Sequence, residues 1–131
     1  MALTKLLLIA LSTMAINVQA SETFSLSCET ADRGWPVLEL EAVASTDGKY
    51  LNSFRAYLEI EAGTAVEFAR DDVRNFAARN DIALSFTKGP PREQVQVRVN
   101  LKRIDDMELA GMFVVRAGKM MHDGRIRCSA G

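Results

Sequence analysis

The stretch that decides the fold is the last part of the chain, residues 111–128, GMFVVRAGKMMHDGRIRC. Phe113 and Val115 share one face of a first extended run, and the turn residues at 117–119 lead into a second run. In that second run Ile126 and Cys128 lie on the same face, because side chains alternate along a strand. The stretch therefore predicts a β-hairpin whose final strand points a cysteine toward the core.

The other cysteine of the chain, Cys28, lies in the first strand-like run of the predicted mature protein. Residues 21–29 alternate so that Phe24, Leu26 and Cys28 share one apolar face. Two cysteines in an exported chain form one disulfide by default. We therefore predict that Cys28 and Cys128 join the first and last strands and close the domain on itself.

The first twenty residues have the layout of a secretory signal peptide. Lys5 precedes a short apolar run at 6–15, and a small-residue cleavage site ends at Ala20. The apolar run is shorter than the roughly 20 residues that a spanning helix needs. We therefore predict a signal peptide over 1–20 and a single periplasmic or secreted β domain over 21–131, with no transmembrane segment in the mature chain.

Between the two cysteine strands, short runs alternate apolar and polar residues and are separated by turn residues. These runs lie at 37–44, 53–61, 82–87 and 93–104. The last is the clearest, because Val95, Val97 and Val99 share one face and polar residues occupy the other, as in a half-buried antiparallel strand. The pattern predicts an all-β domain, an up-and-down barrel of about eight strands, with a two-sheet sandwich as the alternative.

The segment 65–79 fits two different structures. Val66 and Phe68 alternate, so we predict a strand over 65–69 followed by an irregular or one-turn helical crossing over 71–77. The alternative is a helix over 65–79, opposed by like charges at Arg70 and Arg74. Apolar residues that support the helix recur at Val66, Ala69, Val73, Phe76 and Ala77.

Charge is distributed unevenly along the chain. Residues 21–87 carry 6 basic and 12 acidic side chains, whereas residues 88–131 carry 9 basic and 5 acidic ones. The formal net charge of −1 becomes −2 once Lys5 is removed. Because nucleic-acid-binding domains are usually basic, this balance argues against a nucleic-acid partner.

The predicted strands place this charge in two outward stripes. The acidic stripe, interrupted by Arg55, consists of Glu39, Glu41, Glu59 and Glu61. The basic stripe on later strands consists of Arg98, Lys102, Arg116, Arg125 and Arg127. In a closed barrel the two stripes face different sides, and such a bipolar surface can orient a charged partner. We take these residues as candidates for partner binding.

The sequence carries little that indicates catalysis or metal binding. It has one histidine, His122, and lacks the G-x-S-x-G nucleophile turn. Thioether and imidazole side chains are ligands for Cu(I), but the neighbouring Met120 and Met121 would point to opposite faces of a strand. Soft ligands occur at Met107, Met112, Met120, Met121 and His122. We predict no catalytic residue, no metal site and no cofactor.

The layout of presequence, small β domain and cysteines near both ends resembles the small periplasmic barrels that inhibit c-type lysozymes. The Ser-Gly-x-x-Tyr loop of those proteins is not found, and residues 45–50 (STDGKY) form an Asp-Gly turn. No functional residue is therefore carried over. The layout favours an exported, non-enzymatic binding module, inhibitor-like or envelope-associated, whose protein or envelope partner and oligomeric state the sequence leaves open.

Two other functions remain as alternatives to the binding module. The first is a small-ligand carrier in a calycin-like barrel, with Trp35 at the open end. Its interior would be hollow, whereas a binding module would fill it with side chains. These side chains would be Phe24, Leu40, Leu58, Phe86, Val97 and Phe113. The second alternative is a hydrolase, which the missing nucleophile turn disfavours.

Overall fold

A computed structural model describes residues 22–131, so the predicted signal peptide lies outside the described part of the chain. This part is all-β, as predicted, with two short 3-10 turns at Arg70–Asp72 and Pro91–Glu93. The strands are β1 (Thr23–Thr30), β2 (Val37–Ser45), β3 (Leu51–Glu61), β4 (Thr64–Ala69), β5 (Val73–Ala78), β6 (Asp81–Lys88), β7 (Val95–Asp105), β8 (Glu108–Ala117) and β9 (Met120–Ala130). Over residues 22–131, no helix has the length and apolar character required to span a membrane.

The strands form because apolar residues recur at every second position and can be buried together on one face. In β2, Leu38 and Leu40 are buried whereas Glu39 and Glu41 are exposed. β7 follows the same rule through Leu101, and its last residues are exposed because they extend past the core. The inward faces of the strands thus build one hydrophobic core.

All nine strands belong to one antiparallel sheet that curls into a nearly closed barrel. Their order is β4-β3-β2-β1-β9-β8-β7-β6-β5. The first and last strands of the described residues are therefore neighbours at the centre of the sheet. Cys28 and Cys128 lie directly opposite each other in this pairing, with their Cα atoms 4.0 Å apart, and form a disulfide. The predicted barrel and disulfide are both confirmed.

The strands β4 and β5 follow each other in the chain but lie at the two ends of the sheet. Eight antiparallel pairings separate them in the sheet order. Because the strand direction reverses at each pairing, an even number of pairings means that β4 and β5 run in the same direction. β4 pairs with β3, and β5 pairs with β6. The segment 64–78 is therefore one long strand that the turn at 70–72 divides, and the barrel is an eight-stranded meander whose fourth strand changes its neighbour midway.

The predicted strand over 65–69 is confirmed. The irregular crossing predicted over 71–77 is wrong for residues 73–77, which belong to β5. The helix over 65–79 is wrong as well. The pairing of β5 with β6 shifts register between Val73 and Asn75, which is the mark of a β-bulge at Arg74. Because the bulge places Arg74 and Asn75 both outward, it interrupts the alternation that would have revealed the strand.

The divided strand leaves a seam in the barrel, which side chains close. Lys88 Nζ on β6 donates a hydrogen bond to the Glu67 carbonyl oxygen on β4 at 2.8 Å. Arg70 Nε donates to the Leu51 carbonyl oxygen on β3 at 2.7 Å. These bonds satisfy backbone acceptors that a continuous strand ladder would otherwise have satisfied. The seam is thus held by side chains rather than by strand pairing.

Side chains fill the interior of the barrel. The Phe86 ring is fully buried and packs against Phe54 and Phe68, with ring centroids 4.9 and 4.7 Å apart. Phe113 is also fully buried, and a Cβ added to Gly124 opposite would lie 2.7 Å from its ring. Of the six residues predicted to fill the interior, Leu40, Leu58, Phe86, Val97 and Phe113 are buried and Phe24 is half-buried.

Candidate binding surfaces

An acidic face covers the outer surface of β1 to β4. Its carboxylates, together called the acidic face below, are Glu29, Glu39, Glu41 and Glu67 around Tyr57, and Arg55 lines the same depression. Strand register aligns them: Glu39 lies opposite Glu29 on one side and Tyr57 on the other, and Tyr57 lies opposite Glu67. They line a shallow depression of about 340 Å³. The acidic face therefore crosses four neighbouring strands.

The predicted acidic stripe overlaps this face only in part. Glu39 and Glu41 belong to it, and Glu41 forms an ion pair with Arg55 at 3.7 Å. Glu59 lies opposite Val37, and Glu61 lies at the end of β3, so neither lines the depression. Glu29 and Glu67 were not among the candidates, because only the strand order brings β1 and β4 to the two sides of β2 and β3.

The carboxylates of Glu29 and Glu39 form an unfavourable pair. Like charges directly opposite each other on neighbouring strands destabilise a sheet. Arg127 lies opposite Glu29 on its other side, but its Nε pairs with Glu108 at 3.2 Å. Within residues 22–131, neither Glu29 nor Glu39 has an ion-pair partner within 4.0 Å.

A basic groove lies on the outer surface of β5 to β8. Its guanidinium groups belong to Arg74, Arg98 and Arg116. Polar side chains between them are Asn75, Ser85, Thr87 and Gln96, and the volume is about 510 Å³. Arg98 lies opposite Ser85, and Arg116 lies opposite Gln96. Arg74 was not a candidate, because its segment was predicted to be an irregular crossing and not a strand.

The other predicted basic residues are engaged elsewhere. Arg125 binds Asp32 of the β1–β2 connection through two hydrogen bonds, of 3.2 and 2.5 Å. Arg127 is paired with Glu108, as described above. Lys102 lies opposite Asp81 and lines a separate depression. Only Arg98 and Arg116 of the five predicted residues therefore share one groove.

The pairing with Arg125 changes the titration of Asp32. Hydrogen bonds from the Arg125 guanidinium, helped by its positive charge, hold the pKa of the Asp32 carboxyl below its ordinary value. A carboxyl with a lowered pKa contributes stability above its unfolded-state pKa, and that contribution is lost as the pH falls through the folded-state pKa. The ion pair therefore contributes to holding the β1–β2 connection against β9 at neutral pH, and this contribution is lost in acid, whereas the hydrogen bond from the Ala31 N–H to the Arg125 carbonyl oxygen at 2.8 Å is not affected.

Replacing Arg125 should abolish this effect. In an Arg125→Gln variant we expect the pKa of Asp32 to rise toward its ordinary value, because the charged hydrogen-bond donor is gone. Carboxyl-detected NMR titration of Asp32 measures this change directly. Arg127→Gln, which removes a charge two residues further along β9, should leave Asp32 unchanged. An unchanged pKa of Asp32 in Arg125→Gln would contradict the assignment.

A third surface lies at the end of the barrel where β9 begins, and we call it the barrel mouth. Its lining residues are Trp35, Ile60, Glu61, Met120, Met121 and His122, around a depression of about 470 Å³. Trp35 is 57% exposed. Met120 and Met121 both line the mouth although they are neighbours on a strand; Met121 also reaches the basic groove and so lies at the rim between the two.

The classical metal-ligand types do not form a centre in the described part of the chain. Across residues 22–131, no group of three or more His, Cys, Asp or Glu side chains is arranged to hold a metal ion. Both cysteines are consumed by the disulfide. The His122 side chain is exposed at the mouth.

Comparison with known proteins gives no relative for this chain. No protein-family model, no curated protein and no solved structure matches it.

Proposed function

We propose that the protein is an exported binding module whose outer strand faces contact a protein partner carrying complementary charge. The observation that carries the proposal is the separation of charge on the barrel: the acidic face lies on β1 to β4 and the basic groove on β5 to β8. Such a distribution orients an approaching partner and raises the rate of association.

The opposed carboxylates in the acidic face support this function. Glu29 and Glu39 oppose each other at a cost to stability, and a cationic group placed between them would remove that cost. Tyr57 stands beside them and is 36% exposed. Tyrosine is enriched in protein interfaces because it combines an apolar ring with a hydrogen-bonding hydroxyl. The acidic face therefore offers a partner both charge and an aromatic contact.

The packed core favours surface binding over a carrier function. Phe86, Phe113 and Leu58 are fully buried in the interior, so a ligand there would have to displace side chains. The disulfide is consistent with an oxidising compartment, which fits export to the periplasm or secretion. An exported barrel with a filled interior has its outer faces and its ends available for recognition.

Charge removal tests the proposal. We expect Glu29→Gln with Glu39→Gln to reduce cross-linking of the protein to its partner in an envelope extract by at least ten-fold, or about 1.4 kcal/mol. The reduction should shrink as salt is raised, because salt screens surface charges. Arg98→Gln with Arg116→Gln tests the basic groove in the same way.

The matched control removes two carboxylates outside both surfaces, Glu93→Gln with Asp106→Asn, and should leave cross-linking unchanged. The acidic-face variant should be at least as stable as the wild type, since it relieves repulsion between Glu29 and Glu39. Loss of cross-linking then cannot be attributed to unfolding. If the acidic-face and basic-groove variants both retain the partner at wild-type levels, the proposed function is wrong.

A further inference from the structure

We propose that the barrel mouth binds a soft monovalent metal cation, Cu(I) or Ag(I), through the Met120 thioether and the His122 imidazole. The two residues are separated by one position in β9, so their side chains leave the same face of the strand. Both line the mouth together with Trp35 and Glu61. Met120 and His122 themselves lie outside the charged surfaces of the proposed function.

The position of Met120 and His122 in the fold leaves them available to a ligand. They are in phase with Ile126 and Cys128, which are buried in the core. Met120 and His122 extend past the end of that core, however, and both are exposed. Their neighbours across the hairpin are Ala117 and Val115, which offer no polar side chain to the imidazole. A Met-x-His pair on the inward side of β9 is thus exposed beyond the packed core.

The spacing of the pair suits a single ion. Residues two apart in a strand have Cα atoms roughly 6.6 Å apart, a separation that a methionine and a histidine side chain can close around one atom. Thioether sulfur and imidazole nitrogen are soft to intermediate ligands, which select Cu(I) among biological metals; Ag(I) shares its charge and filled d shell. Met121 at the rim supplies a further thioether within the same mouth.

The remaining walls of the mouth favour a cation. Glu61 brings a negative charge from the end of β3. Trp35 exposes its indole to the same depression, and an aromatic face attracts a cation by electrostatics. Soft ligands, a carboxylate and an indole therefore converge from three separate elements: β9, β3 and the β1–β2 connection.

The protein contains its own reporter for this site. Trp35 is the one tryptophan of the chain, so a metal ion bound at the mouth should quench the tryptophan fluorescence. Because both cysteines form the disulfide, no thiolate competes for the ion in the oxidised protein. We expect titration with Ag(I) to give saturable quenching at one equivalent, and calorimetry to give the same stoichiometry. Ag(I) needs no reductant, which keeps the disulfide intact.

Substitutions distinguish Ag(I) binding at the barrel mouth from Ag(I) binding at other methionines. Met120→Leu with His122→Asn should weaken Ag(I) binding at least ten-fold, because it removes both ligands while keeping the side-chain volumes similar. The control is Met112→Leu, which removes an exposed methionine outside the mouth and should leave binding unchanged. Thermal unfolding of each variant establishes that the fold is retained.

Three results would overturn the proposal. The first is the absence of saturable Ag(I) binding to the wild type. The second is equal affinity in the wild type and in Met120→Leu with His122→Asn. The third is an equal loss of affinity in Met112→Leu, which would mean that Ag(I) binds exposed thioethers without regard to the mouth.

Discussion

Removal of the disulfide is expected to lower the free energy of unfolding by about 4–5 kcal/mol in a Cys28→Ala, Cys128→Ala variant. The bridge spans 100 residues, and a loop of that length strongly restricts the unfolded chain. It also joins β1 to β9, the pairing through which β1 to β4 are held against β5 to β9. Since small domains have only about 5–15 kcal/mol of stability, the variant should be marginally folded.

Urea unfolding of the oxidised protein and of the double variant measures this difference. Reduction of the wild type should reproduce the loss, because it breaks the same bond without changing the side-chain packing. The control is Met107→Ala, an exposed residue in the β7–β8 turn, for which we expect little change. A difference below about 1 kcal/mol between wild type and double variant would show that strand pairing alone holds the chain ends together.

Truncation of Phe86 should cost about 3–5 kcal/mol in a Phe86→Ala variant. Its ring is fully buried between Phe54 of β3 and Phe68 of β4, so the truncation leaves a cavity and removes two aromatic contacts. Because Phe86 belongs to β6, these contacts cross the seam that the strand ladder leaves open. The substitution should therefore loosen the barrel where backbone pairing is missing.

Equilibrium unfolding of Phe86→Ala, with Phe24→Ala as the matched control, tests this expectation. Phe24 is half-buried on β1 and lies outside the aromatic cluster, so its loss should be clearly smaller. Hydrogen exchange of the β4 amides should also accelerate in Phe86→Ala, since local opening at the seam becomes easier. Equal losses of stability in the two variants would contradict a special role for Phe86.

Strand alternation made most of the fold predictable. In β7 every second residue from Val97 to Leu101 is buried, and the same two-residue period of apolar residues is visible in the sequence. The same alternation placed Cys28 and Cys128 on inward faces. The predicted export to an oxidising compartment then suggested a disulfide between them. β5 was missed because the bulge at Arg74 breaks its period, leaving Val73, Phe76 and Ala77 at spacings that suit a helix equally well.

The candidate surfaces were less predictable, because they depend on strand order and on side-chain partners distant in sequence. The outward direction of Arg125 follows from alternation, but its partner Asp32 comes from an irregular connection 93 residues away. Alternation alone also separates Met120 from Met121. At the rim of a barrel, however, long side chains extend beyond the sheet, and two adjacent methionines can line the same depression.

The divided strand has a consequence for how the protein behaves in a crowded compartment. β4 and β5 are each six residues long, and they are the two end strands of the sheet over residues 22–131. Lys88 and Arg70 already bind carbonyl oxygens at the seam. A short edge strand with charged side chains across it offers few free backbone groups with which a strand of another molecule could pair. We therefore expect the folded barrel to resist edge-to-edge aggregation into fibrils.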